Sequence, residues 1–89
     1  MDAAGAWKSI FEGWPRAIER KGMVVTSLGE GIPFVNFLVS GGLLLLERDK
    51  PDQFGTRKVI LPYGQISAVR LQSVEDLSRF QVMGFQAPL

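Results

Sequence analysis

Few side chains in this chain could do chemistry. Glu47, Asp49 and Asp52 fall close together, and carboxylates at that spacing can hold a hard cation. Arg48 and Lys50 stand between them, so the stretch reads as a solvated charged loop and no metal site is expected. The chain has no histidine and no cysteine. That removes the commonest general base, thiolate ligands and every Ser/His/Asp or Cys/His triad. Gly29-Glu30-Gly31 lacks the Lys-Ser/Thr and the strand-to-helix setting of a phosphate loop. No enzyme and no cofactor are therefore expected. Tyr63 is the strongest candidate for recognition. It lies in a Pro-Tyr-Gly turn, where a ring can stack on a nucleobase or pack on a neighbouring turn. Arg16, Arg20 and Lys21 form a second candidate. They read either as a basic rim for phosphates or as partners of a helix C-terminal dipole.

The elements that must position these groups fit one small unit of 89 residues. Hydrophobic content of 46% is that of a packed domain rather than a disordered one. A net charge of +1 gives no strong field toward nucleic acid or anionic membrane. The longest aliphatic run, Leu43 to Leu46, is strand-sized, far short of a transmembrane helix. The first residues, Met1-Asp2-Ala3-Ala4, lack the basic stretch of a signal peptide, which predicts a cytoplasmic protein.

Trp7, Ile10, Phe11, Trp14 and Ile18 share one helical face. Gly13 and Pro15 interrupt it, so the pattern predicts one helix over about 3–13 and a second over about 15–21. The aromatic face either covers an open end of the fold or, through Trp7, Phe11 and Trp14, meets a protein partner. Five strands are predicted at about 22–28, 32–39, 43–48, 57–61 and 65–71, joined by glycine-containing turns and one longer loop. Pro33 suits an edge or a strand start. The four leucines of the third strand predict burial on both of its faces, one of them against the helix. Ser73 with Asp76 resembles a capping box, and Val74, Leu77 and Phe80 recur every three residues, which predicts a short helix over about 74–82 and then a tail. The reading is a mainly β domain over 1–72, a five-stranded, strongly bent barrel with an N-terminal helix, followed by a helix or tail over 73–89.

This pattern resembles the Sm-like family of small β-barrels, the Lsm and Hfq proteins, over about residues 15–72. Val24-Val25-Thr26-Ser27-Leu28-Gly29-Glu30-Gly31 sits where that family has its first strand and turn. Asn36-Phe37-Leu38 falls at its Gly-x-Leu, and Leu43 to Glu47 at its third strand. Val59-Ile60-Leu61-Pro62-Tyr63-Gly64-Gln65-Ile66 is similar to its second motif. Two turns depart from the pattern. Ser40-Gly41-Gly42 stands where RNA-binding members carry an Asp and an Asn, and Tyr63-Gly64 where they carry Arg-Gly or Lys-His. Small SH3-like barrels share the strand order.

The resemblance implies a homo-oligomeric ring in which the fourth strand of one subunit pairs with the fifth of the next. Val59, Ile60, Leu61, Ile66, Ala68 and Val69 would form that interface, the alternative being burial within a monomer. It also implies RNA as a partner, met by Tyr63, Gly64, Gln65, Ser40, Gly41 and Gly42 at the pore, and by Arg16, Arg20 and Lys21 on the helix face. The other reading is an oligomeric scaffold of the same fold that binds protein and no RNA.

Overall fold

In the computed structural model, which describes residues 2–89, Asp2 opens helix α1 (Ala3–Glu12). Its carboxylate accepts a 2.7 Å hydrogen bond from the Gly5 N–H. That satisfies one of the amides a helix start leaves free, a contribution of about 0.5–2 kcal/mol. Gly13 caps the other end, its N–H donating to the Ser9 carbonyl. The second helix expected over 15–21 does not form. Pro15 disfavours helical backbone at Trp14, and only a single turn follows, closed by Ile18 N–H on the Pro15 carbonyl at 3.2 Å. The buried Trp14 indole then donates to the Ile18 carbonyl at 2.9 Å. Trp14 and Ile18 both reach the core without a helix between them.

The rest of the domain is mostly β: two three-stranded antiparallel sheets. Strands β1 (Gly22–Thr26), β2 (Gly31–Phe34) and β6 (Ile66–Arg70) form one, ordered β2-β1-β6. Strands β3 (Asn36–Ser40), β4 (Leu43–Glu47) and β5 (Lys58–Pro62) form the other, ordered β3-β4-β5. The second expected strand is thus divided at Val35, giving six strands, and the two sheets are not closed into a barrel.

The division has a local cause. Ile32, Phe34 and Phe37 are all buried, so the inward parity slips by one between Phe34 and Phe37. Asn36 makes the slip possible: its side-chain oxygen accepts the Phe37 N–H at 2.9 Å, a local bond that competes with the ladder. Val35 N–H reaches the Glu47 carbonyl at 2.8 Å and ties the two sheets together at the bend. Pro33 pairs opposite Met23 in β1. The Thr26 N–H to Glu30 carbonyl bond fixes the alternation of that ladder, so the donor Pro33 lacks would point away from β1.

The core sits between the sheets and beneath α1. Phe11 is its centre: ring centroids of Trp14, Phe34, Phe37 and Tyr63 lie 5.5, 6.4, 5.0 and 6.2 Å from its own. Ile18, Val24, Ile32, Leu44, Leu46, Leu61 and Ile66 complete it. The aromatic face of α1 is therefore a cover for the sheets. After β6 the chain enters a 3-10 segment, Leu77–Met83, where an α-helix over 74–82 was expected. Ser73 does not act as the first residue of a capping box, because its hydroxyl accepts the Glu75 N–H at 3.1 Å instead. The three-residue spacing of Leu77, Phe80 and Met83 matches the 3.0-residue turn of a 3-10 helix. Phe80 and Met83 pack against the core's margin.

Candidate functional site

Two turns with candidate site residues meet at one end of the β3-β4-β5 sheet. The β3–β4 turn holds Ser40, Gly41 and Gly42; Gly41 has φ +57°, a conformation glycine takes without strain. After β5 the chain makes a 3-10 turn, Tyr63–Gln65. The Tyr63 N–H donates to the Gly42 carbonyl at 3.3 Å and fastens one turn to the other. Ser40, Gly41, Gly42, Gly64 and Gln65 are exposed there. Gln65 is held in place: its carbonyl accepts the Ser27 N–H at 2.8 Å, and its side-chain oxygen accepts the Ser27 hydroxyl at 3.0 Å. The side-chain amide nitrogen is left as a donor.

Tyr63 does not join this rim. The ring is 2% exposed and packs under α1, which corrects the expectation that it could stack on a base. Its position just before β6 turns it inward, in step with buried Leu61 two residues earlier. The phenol oxygen is buried with no hydrogen-bond partner. Burial, with the nearby Glu12 carboxylate as a smaller cause, pushes its pKa above the ordinary range.

Two of the basic candidates, Arg20 and Lys21, stand apart from the turns. Arg20 lies over the Phe37 ring, its guanidinium carbon 5.1 Å from the centroid, an arrangement that draws the cation onto the π face. Phe37 is near the start of β3 and Ser40 at its end, a separation of roughly 10 Å along the strand. Lys21 lines a different, open cavity of about 420 Å³ with Met23, Pro33, Asp49 and Arg70. Asp49 offsets the two cations there. Arg16 is exposed. The structure therefore brings Ser40–Gly42 and Gly64–Gln65 together, and places Arg20 and Lys21 elsewhere.

The expected interface residues divide in the same way. Leu61 and Ile66 belong to the buried core, and Val59, Ala68 and Val69 are half-buried. Only Ile60 of that set projects outward, 66% exposed. Backbone geometry nevertheless leaves β5 with an open side. The Tyr63–Gly42 and Arg48–Arg57 bonds fix the alternation of the β4–β5 ladder. Lys58, Ile60 and Pro62 therefore direct their backbone groups away from β4. Lys58 and Pro62 guard the two ends of that edge, and Ile60 presents a free N–H and carbonyl between them.

The feature that sequence reasoning missed lies on the outer face of this sheet. Leu38, Leu45 and Ile60 stand opposite one another across all three strands. The next row holds Ser40, Leu43 and Pro62, and the row on the other side Asn36, Glu47 and Lys58, with a 3.8 Å ion pair between the last two. The leucine run was the signal. It predicts burial on both faces, but α1 covers only the side of Leu44 and Leu46. On the other side Leu43 is exposed and Leu45 half-buried, with no described element packed over them. Phe11 and Trp14, read either as a cover or as a partner face, are buried. Half-buried Trp7 instead lines an apolar groove with Ile10, Val69, Leu71, Phe80 and Met83.

Among the described residues no group of three or more His, Cys, Asp or Glu side chains is arranged to hold a metal ion. Asp52 is used locally: its side chain accepts the Phe54 N–H at 2.8 Å and the Thr56 N–H at 2.9 Å. Those bonds, Thr56 foremost, hold its carboxyl below the usual range. No helix among the described residues is long and apolar enough to cross a membrane. Comparison with protein-family models, with curated proteins and with solved structures returns no match to this chain.

Proposed function

We propose that this protein is a self-assembling subunit of Sm-like design that serves as a protein-interaction scaffold. Copies join through β5 of one and β6 of the next, and the joined sheets close into a ring. The observation that carries this reading is the apolar row Leu38, Leu45 and Ile60, which runs across the outer face to the open edge of β5. Monomeric proteins seldom expose contiguous apolar surface of that kind without using it. An open edge with a free backbone donor and acceptor is a template for a further strand. β5 and β6 end the two sheets, which suits a closed cyclic assembly.

RNA is the second reading, favoured by the meeting of the Ser40–Gly42 and Tyr63–Gln65 turns. It is the weaker one. The rim offers an amide and a hydroxyl but no cation and no exposed ring, whereas RNA affinity draws on both phosphate charge and stacking.

Native mass spectrometry of the full chain tests the first reading. A discrete oligomer of fixed order is expected, and a monomer at tens of micromolar would overturn it. Titration of a labelled uridine oligomer at low salt tests the second. Tight binding that weakens steeply with salt would bring RNA to the front.

A further inference from the structure

The C-terminal segment after β6 is as exposed as the outer face of the β3-β4-β5 sheet. Leu77 is 87% and Phe85 54% exposed, and Val74, Val82 and Leu89 are exposed as well. Phe80 and Met83 pack on its own chain at the α1 side, and Phe85 borders the groove that Trp7 lines there. Leu77, Phe80 and Phe85 line an apolar groove of about 570 Å³ with Pro88. The segment's 3-10 stretch runs seven residues, whereas such runs rarely exceed three or four. A conformation of that kind is poorly stabilised by its own hydrogen bonds and calls for packing from elsewhere.

We propose that this segment covers the outer face of β3, β4 and β5 in a second copy of the chain. Leu77, Val82 and Phe85 would lie over Leu38, Leu45 and Ile60. The inference rests on the self-assembly proposed above and adds the contact that completes it. Three observations commit the face to a second copy rather than to the chain's own tail or another molecule. First, the tail is anchored on the α1 side of the fold. The sheet stands between it and its own outer face, because Leu44 and Leu61 point to α1 while Leu45 and Ile60 point away. Second, the tail leaves directly from β6. In the assembly proposed above β6 is the strand set against β5 of the next copy, so the tail starts at that junction. Third, the areas are matched. Side chains of this size each present roughly 60–120 Å² of apolar surface. At their observed exposures, one face and one tail together bury roughly 200–450 Å². A specific interface needs about 1,000 Å², so the face–tail contact supplies roughly a third and the β5–β6 edge must supply the rest.

The absence of native cysteine allows a direct test on the full chain. Ile60→Cys and Phe85→Cys are made separately, one of them isotopically heavy, then mixed and treated with a short bismaleimide. A product joining one heavy and one light chain through these two positions is expected. In parallel, Leu77→Lys and Phe85→Ser are compared with the parent by native mass spectrometry and by sedimentation. Both sites are exposed, and an unchanged thermal melt of the dilute protein confirms folding. The dissociation constant of the assembly should rise about tenfold or more. Unaltered assembly in both variants, or no cross-link between copies, overturns the tail contact while leaving edge-paired self-assembly standing. A parent protein that is monomeric throughout overturns both.

Discussion

Tyr63 is the residue whose surroundings differ most from what its turn suggests. Its hydroxyl is buried without a partner, and an unsatisfied buried donor costs about 1–3 kcal/mol. Tyr63→Phe keeps the ring in the aromatic cluster and removes that cost, so the melting temperature should rise. A fall would show that the hydroxyl has a partner. The raised pKa adds a pH signature. The folded state binds the phenolic proton more tightly than the unfolded chain, whose tyrosine titrates near 10. The associated stability is complete below pH of about 10 and is lost as pH rises through the folded value. Chemical denaturation between pH 8 and 12 should show this loss in the parent and a shallower one in Tyr63→Phe. Phe11 carries the opposite expectation. It touches four other rings, and Phe11→Ala should cost about 3–5 kcal/mol, enough to unfold much of so small a domain. Circular dichroism during urea titration measures it.

At the scale of elements, the glycines of β1 and of the Tyr63 turn make a contrasting pair. A Cβ on Gly22 would stand 2.5 Å from the Arg70 carbonyl oxygen and 2.8 Å from a Leu71 methyl, so it would force β1 and β6 apart. A Cβ on Gly64 meets only open space. Gly22→Ala should therefore lower stability by about 1–3 kcal/mol, as overpacking does. Gly64→Ala should leave the melt unchanged while altering the rim. In the β4–β5 loop, Asp52→Ala should raise amide exchange at Phe54 and Thr56 and leave the sheets protected; faster exchange in β4 would show that the loop is coupled to the core. Much of this layer was legible in the residues. The spacing of Trp7, Ile10 and Phe11 locates α1, and the glycine turns separate the strands within a residue or two. The bend at Val35 was harder to see, because Pro-Phe-Val-Asn-Phe reads as one strand unless the parity of Phe34 and Phe37 is followed. The false second helix has a related origin: Trp14 and Ile18 keep helical spacing, but a single turn and an indole hydrogen bond satisfy it. The outer face escaped because sequence periodicity distinguishes two sides of a strand without saying which will be covered.

For the molecule as a whole, assembly and stability should be linked. If copies cover one another's outer faces, the melting temperature must rise with protein concentration by mass action. Ile60→Lys should remove that dependence while leaving the dilute protein's melt within a few degrees of the parent. A melting temperature independent of concentration from 1 to 100 μM in the parent would count against self-association. The position of α1 has a consequence for the order in which the chain can fold. Phe11 rests on Phe34, Phe37 and Tyr63, so the surface that α1 covers includes a ring roughly fifty residues further along. At ribosomal speeds of about 5–20 residues per second, that ring follows the helix by roughly 3–10 s. During this interval an amphipathic stretch bearing two tryptophans and a phenylalanine has left the ribosome without its seat. The helix is made well before its seat is complete, and the nascent chain is most exposed to chaperones and to aggregation before Tyr63 emerges.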